Sequence, residues 1–223
     1  MNVFDILGPV MIGPSSSHTA GAARLGLVAR RLAGEAPVAA TIYLHGSFAK
    51  TYKGHGTDRA LVAGILGMRP DDERLRDALT LAEEAGMGVQ FIPTDFDDAH
   101  PNTAEIHLTD ASGHTSSMRG ESIGGGNIHI SRINGLPVSL SGEYYTLIVI
   151  HRDVPGAIAA VTDLLSEAGA NICHFDLSRQ SRGGEAVMSI SVDSIDADTG
   201  AALCKKIDAL PGIDSCISIQ PIG

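Results

Sequence analysis

The chain has 223 residues, 43% hydrophobic and 19% charged, enough for one large or two small domains with real cores. Sixteen basic against twenty-six acidic side chains give a formal charge of −10, which repels a phosphate backbone and argues against general nucleic-acid binding, so any anion site has to be local. The start, Met1-Asn2-Val3-Phe4-Asp5, has no basic region, and Val3 to Ile12 is too short to span a bilayer; a cytoplasmic protein with no membrane contact is expected.

The first informative segment runs from Gly13-Pro14 through Ser15, Ser16, Ser17, His18 and Thr19 to Ala20-Gly21-Ala22-Ala23. Gly-Pro halts what precedes it, Ser and Thr favour helix starts, and Ala20 to Arg31 then reads as a helix. Unpartnered N–H groups, hydroxyls and the helix dipole at such a start suit a phosphate or an amino-acid carboxylate. A Ser run is otherwise a plain linker, but the embedded His18 and the small residues after it favour a binding role. Ser17 beside His18 does not make a hydrolytic pair, since adjacent side chains rarely meet and no Gly-x-Ser-x-Gly elbow is present. Arg24 is placed to face the same mouth, whereas Arg30 and Arg31 read as solvated charge.

Val38 to His45 reads as a strand, Gly46 to Gly56 as a loop, and Thr57 to Gly67 and Asp72 to Gly86 as helices. The loop carries Ser47, Lys50, Lys53 and His55 among glycines, a second ligand-facing connection in which the lysines hold an anion and His55 transfers a proton. Thr57 reads as an N-cap. Val89 to Ile92, Ala104 to Thr109 and His114 to Met118 read as strands, and Glu121 to Ile133 as one glycine-broken strand ending at the Asn134-Gly135 turn. His100, Asn102 and Thr103 in His100-Pro101-Asn102-Thr103, with Ser122-Ile123-Gly124-Gly125-Gly126, add two weaker polar patches to the same cleft. His107 and His129 read as surface or pairing residues, and His114 as part of a hairpin.

A change of pattern near Leu140-Ser141-Gly142-Glu143 divides the chain into domains 1–142 and 143–223. Beyond it come a strand from Tyr144, a helix after Asp153-Val154-Pro155-Gly156 ending at Gly169, a strand from Asn171 to Gln180, a Ser181-Arg182-Gly183-Gly184 hairpin and a strand from Ala186 to Val192. A helix from Asp198 to Leu210 and a strand from Ile213 to Gln220 follow. The order βαββαβ is ferredoxin-like, an antiparallel sheet covered on one face by two helices. The N-terminal part is expected to be an α/β or α+β domain. Cys173, Cys204 and Cys216 are too few and too scattered for a disulfide framework or a metal site, so buried thiols are expected, and His174 with Asp176 does not make a metal site.

The C-terminal pattern, with His151-Arg152-Asp153-Val154-Pro155-Gly156 and Gly169-Ala170-Asn171-Ile172, resembles an ACT domain, a regulatory module that commonly binds amino acids. The resemblance implies effector contacts from His151, Asp153, Gly156, Asn171 and Ile172, and side-by-side pairing of two copies. Over nearly the whole chain, the Gly13 to Gly21 segment, Leu44-His45-Gly46-Ser47, Lys53 to Asp58, His100 to Thr103 and Ser122 to Gly126 resemble the β chain of iron–sulfur L-serine dehydratases. Their first domain is related to the allosteric substrate-binding domain of some phosphoglycerate dehydrogenases. That resemblance implies deamination of L-serine to pyruvate and ammonia, with a 4Fe-4S cluster ligated by a separate α subunit and no metal ligand on this chain. On it, Ser15, Ser16, Ser17, Thr19, Ser47, Lys53, His100, Asn102 and Thr103 hold the substrate, and His18 and His55 polarise it or move its proton. The alternative is a non-catalytic regulator using the same loops to bind serine or another small anion.

Overall fold

The computed structural model describes Gly13, residues 15–193 and residues 195–221; Pro14 and the segment before Gly13 lie outside it. Two units divide after Asn134. The first begins with a π-helical turn, Ser16–Gly21, that runs straight into α1 (Ala22–Ala33). Then come β1 (Pro37–Leu44), α2 (Gly46–His55), α3 (Thr57–Ile65), a 3-10 turn (Glu73–Asp77), α4 (Ala78–Glu84), β2 (Gly88–Pro93), β3 (Thr103–Asp110), β4 (Thr115–Gly124) and β5 (Asn127–Ile133).

These five strands run in the order β2-β1-β3-β4-β5, with β1 and β2 parallel and the other neighbours antiparallel. Strand alternation sends Ile42, Ile106, Met118 and Ile130 to one face, where they are fully buried, with the helix that carries Leu25 packed on β3 and β4. The other face is polar and internally paired. On it Glu105 accepts from Arg119 at 2.6 Å and pairs with His107 at 2.8 Å, and Glu121 pairs with His129 at 2.9 Å. His107 and His129 are thus pairing residues, as their alternation suggests.

The helices α1 and α3 cross at glycines. A Cβ on Gly64 would lie 2.0 Å from the carbonyl oxygen of Ala23, and one on Gly26 would lie 2.1 Å from that of Leu61. Backbone therefore meets backbone, which brings the start of α3 beside the π-helical turn.

Four local expectations are corrected. Gly46 to His55 is a helix, because Gly46, at φ +58°, makes the sharp entry and Gly56, in the left-handed region, ends it. Thr57 is therefore not a cap; Gly56 holds that place. The Asp72 to Gly86 helix is split into a 3-10 turn and a short α-helix. Glu121 to Ile133 is two strands, since Gly124, Gly125 and Gly126 all take positive φ and turn the chain into a hairpin.

The second unit contains β6 (Leu136–Leu140), β7 (Tyr145–Arg152), α5 (Ala157–Glu167), β8 (Ile172–Arg179), β9 (Glu185–Val192), α6 (Ala197–Asp208) and β10 (Ile213–Ile219). Strands β7 to β10 form an antiparallel sheet in the order β10-β7-β9-β8. Leu147, Val149, Met188 and Ile190 meet Val161 and Leu165 of α5 and Leu203 and Ile207 of α6 in one apolar core. This is the expected βαββαβ arrangement. Cys204 and Cys216 are buried in that core, whereas Cys173 is exposed on β8, against the expectation of three buried thiols. No helix among the described residues is long and apolar enough to cross a membrane.

Candidate functional site

Ser15 is extended and caps the π-helical turn: its hydroxyl accepts from the His18 N–H at 3.3 Å, and its carbonyl accepts from the Thr19 N–H at 2.8 Å. The wide turn swings His18 inward, where it is 9% exposed, while Gly21 seats the turn against β4; a Cβ there would lie 2.0 Å from Ser122 Oγ.

His18 joins the two ligand-facing segments. Its Nε2 lies 3.2 Å from Ser47 Oγ and its Nδ1 lies 3.4 Å from Ser15 Oγ. Its ring packs edge-on against Phe48 at 5.2 Å and His55 at 4.7 Å. Burial first, and the neighbouring His55 second, push the His18 pKa below its usual value, so its imidazole is neutral at pH 7. A neutral ring has one N–H and one lone pair to share between Ser47 and Ser15.

The segment after His100 supports this arrangement from behind. Pro101's carbonyl accepts from the N–H groups of Ser47 (2.7 Å) and Phe48 (3.3 Å), and Thr103's accepts from the His45 N–H at 3.0 Å. Thr103 is fully buried, with its hydroxyl donating to the His100 carbonyl at 2.6 Å. Asn102 donates its N–H to His100 Nδ1 and points its amide at the Ser122 carbonyl. Gly46 is required here, because a Cβ would lie 2.6 Å from the Pro101 carbonyl oxygen. His100, Asn102 and Thr103 thus spend these bonds on the fold around Ser47.

A cavity of about 220 Å³ opens beside His55, lined among others by Thr19, Lys53, Gly56, Arg59 and Arg76. Three cations share its rim, and α3 begins at its wall, where Asp58 Oδ1 accepts from the Arg59 N–H at 2.9 Å. Thr19 is 2% exposed and its Oγ1 has no hydrogen-bond partner among the described residues. An unmade bond of that kind costs about 1–3 kcal/mol.

The structure therefore brings together Ser15, His18, Thr19, Ser47, Lys53 and His55, with Ser16 and Ser17 half-buried on the same turn. Arg24 instead turns away and donates to the Gly126 carbonyl at 2.6 Å, fastening the glycine hairpin. Arg30 donates to the carbonyls of Gly34 and Glu35 at the end of α1. Sequence reasoning missed Phe48, Arg59 and Arg76. Arg59, in the first turn of a helix that opens beside a glycine loop, carried a readable signal; Arg76, on a distant 3-10 turn, did not.

In the second unit, Asp153 Oδ2 accepts from Arg179 at 2.7 Å and from the Gly183 N–H at 3.2 Å, which hold its pKa below the usual carboxylate range. His151 is buried and its Nδ1 pairs with the Arg152 carbonyl at 2.7 Å. Gly156, at φ +91°, caps α5, and Asn171 bonds to Asp193 at the entrance to β8, where Ile172 is exposed.

Residues 2–132 match the family model described as serine dehydratase beta chain, and residues 145–212 match the ACT domain. A Bacillus subtilis protein described as a probable L-serine dehydratase, beta chain, is 47% identical over 86% of this chain and 87% of its own length. The L-serine dehydratase beta chain of Peptoniphilus asaccharolyticus is 39% identical with the same coverage. A D-3-phosphoglycerate dehydrogenase of Synechocystis is 26% identical over 88% of this chain and 35% of its own length.

Proposed function

This chain belongs to the serine dehydratase β-chain family, and from that premise we propose that it forms one wall of the active site of a two-chain L-serine ammonia-lyase. Dehydration of serine requires the carboxylate to be anchored, the α-proton to be removed and the hydroxyl to leave. The cavity beside His55 anchors the carboxylate with Lys53, Arg59, Arg76 and the Thr19 hydroxyl, which gains the partner it lacks. The rest of the substrate then faces His55, with His18 behind it. The neutral His18, held by Ser15 and Ser47, accepts a proton or passes one through His55. Ser16 and Ser17 line the same turn, and His100, Asn102 and Thr103 act by holding the start of α2, which carries Ser47.

The residues of this chain do not fit a 4Fe-4S cluster. All three cysteines lie in the second unit, two of them in its core, and no group of three His, Cys, Asp or Glu among the described residues is placed to hold a metal. We place the cluster on the α subunit, and every role given to this chain is binding, orientation or proton movement.

The observation that carries the reading is the meeting of His18, Ser47 and His55 at the edge of a cation-rimmed cavity. Pyruvate formation by the pair reconstituted with its α subunit tests it: His18→Ala and His55→Ala are expected to lower kcat at least 100-fold without preventing assembly. Unchanged activity in both refutes the active-site wall.

The second unit serves as the regulatory module. Strand β8 is a sheet edge carrying Ile172, Phe175 and Leu177 at 36–37% exposure, a surface suited to pairing with a second copy of this chain. An amino-acid effector would meet Asp153, Gly156, Asn171 and Ile172 there, and would have to compete with Arg179 for the Asp153 carboxylate.

A further inference from the structure

Cys204 on α6 and Cys216 on β10 stand twelve residues apart, with their sulfur atoms 3.1 Å from each other and the Cys216 S–H directed at Cys204. Both are buried in the apolar core of the second unit, at 7% and 9% exposure. A disulfide bond is about 2.05 Å long, so closing one here moves the sulfurs by roughly 1 Å, a displacement that small side-chain rotations supply. The two elements pack directly on each other. Among the described residues no group of three His, Cys, Asp or Glu is placed to hold a metal, and the proposed chemistry of the first unit does not use these sulfurs.

The chain between them has a specific neighbour. After α6 it turns at Leu210-Pro211-Gly212, where the Gly212 carbonyl accepts from the Arg152 N–H at 2.8 Å. Gly212, at φ +82°, also sits against Val154; a Cβ on it would be 3.6 Å from Val154 Cγ2. The segment bracketed by the two cysteines therefore abuts the β7–α5 turn, the turn that carries Asp153 and Gly156.

We propose that Cys204 and Cys216 form a reversible intrachain dithiol–disulfide couple that, when closed, ties α6 to β10 and holds the Gly212 segment against the β7–α5 turn. With a peroxide as oxidant, the Cys204 thiolate attacks one peroxide oxygen and becomes a sulfenic acid, and the other oxygen leaves as water. The Cys216 sulfur then attacks the sulfenic sulfur, the S–S bond forms and a second water leaves. Two thiol hydrogens and two electrons pass to the peroxide, which is reduced to two waters. A thiol reductant reverses the bond by exchange.

The order of attack follows from the hydrogen bond. Cys216 donates its proton to Cys204, so Cys204 ionises more readily, while that bond, and then burial, hold the Cys216 thiol far above its usual range. Access comes through β10, an edge strand that pairs with β7 alone and opens locally at lower cost than the central strands. Cys173 is the contrasting thiol, exposed on β8.

The test treats the assembled α and β protein with hydrogen peroxide, blocks free thiols with iodoacetamide in denaturant and digests with trypsin. Cleavage at Arg182, Lys205 and Lys206 puts Cys204 in peptide 183–205, Cys216 in peptide 207–223 and Cys173 in neither. The expected result is peptide 183–205 linked to 207–223, two hydrogens lighter than the separate pair and parted again by dithiothreitol. Amide exchange should slow in residues 153–157 and 209–216 of the oxidised protein. In Cys216→Ser, Cys204 should stop at a sulfenic acid that dimedone traps. Full carbamidomethylation of Cys204 and Cys216 under conditions that oxidise Cys173 overturns the couple, and a linked pair with unchanged exchange at residues 153–157 overturns the clamp.

Discussion

The chemistry proposed for the first unit turns on which form of His18 is present at neutral pH. Because its folded pKa lies below the usual 6.5, burial and His55 keep the ring neutral until the pH falls below that value. The acid limb of kcat/KM for the assembled enzyme is therefore expected below pH 6.5. Replacing His55 by Gln removes the second of the two causes and moves that limb upward, whatever it does to kcat. Stability follows the same sign: unfolding restores the higher pKa, so the unfolded chain binds more protons, and the His18 contribution disfavours folding progressively as pH falls from 6.5 through the folded pKa. A pH–rate profile of His55→Gln that keeps the wild-type limb would show that His55 does not act on His18. The carboxylate-binding role proposed for the cations at the cavity rim bears on a different quantity. A charge-assisted bond to a carboxylate is worth about 1.5–3 kcal/mol, so Arg59→Ala or Arg76→Ala should raise KM for L-serine by roughly 10- to 150-fold and change kcat less. An unaltered KM in both, with His18→Ala inactive, would move the carboxylate elsewhere on the same wall.

At the scale of elements, the site depends on how closely α1 and α3 approach. Alanine is the better helix former by about 1 kcal/mol, so propensity alone predicts that Gly64→Ala stabilises the protein. Packing predicts the reverse: the new Cβ would stand 2.0 Å from the Ala23 carbonyl oxygen and 2.6 Å from the Leu27 nitrogen, backbone atoms that move only if the helices separate. Overpacking of this kind costs about 1–3 kcal/mol or more and should win, giving a net loss of roughly 2 kcal/mol in urea unfolding. Gly54→Ala, in α2 with nothing within 4 Å of its Cβ position, should show propensity alone and gain up to about 1 kcal/mol. The same contrast explains what the sequence could and could not reveal. The second unit was legible because its strands alternate cleanly and Pro155-Gly156, Gly183-Gly184 and Pro211-Gly212 punctuate them. The stretch from Gly46 to His55 was not, since its glycines and lysines read as a loop; it is helical because Tyr52 packs on Phe91 and Phe48 is buried beneath His18, long-range contacts that no local pattern contains. The His18–Ser47–His55 cluster was legible in its members. The pairing geometry and Arg76 were not, because they come from elements as far apart in the chain as the turn at Ser15 and the 3-10 turn at Glu73–Asp77.

For the whole molecule, the acidic charge of −10 sets the background against which any self-association must occur, since two copies repel at long range. Pairing through the second unit therefore has to rest on apolar contact at short range. In the proposed pairing Phe175 and Leu177 would supply it: both lie on β8, at the edge of the sheet, opposite Ile190 and Met188 of β9, and each keeps 37% of its surface exposed. Their exposure means that a charge at either position is tolerated by a single copy, which can turn it toward water. Between two copies it would be buried without a partner, at a cost of several kcal/mol. Phe175→Glu with Leu177→Glu should leave circular dichroism and thermal unfolding close to wild type while shifting sedimentation to the mass of one 23.2 kDa chain. His114→Glu, on the exposed hairpin of the first unit, adds one charge without touching that edge and should leave the dimer intact. Wild-type sedimentation at one chain's mass at micromolar concentration, or an intact dimer in the double variant, would separate pairing from this edge and leave β8 to another surface.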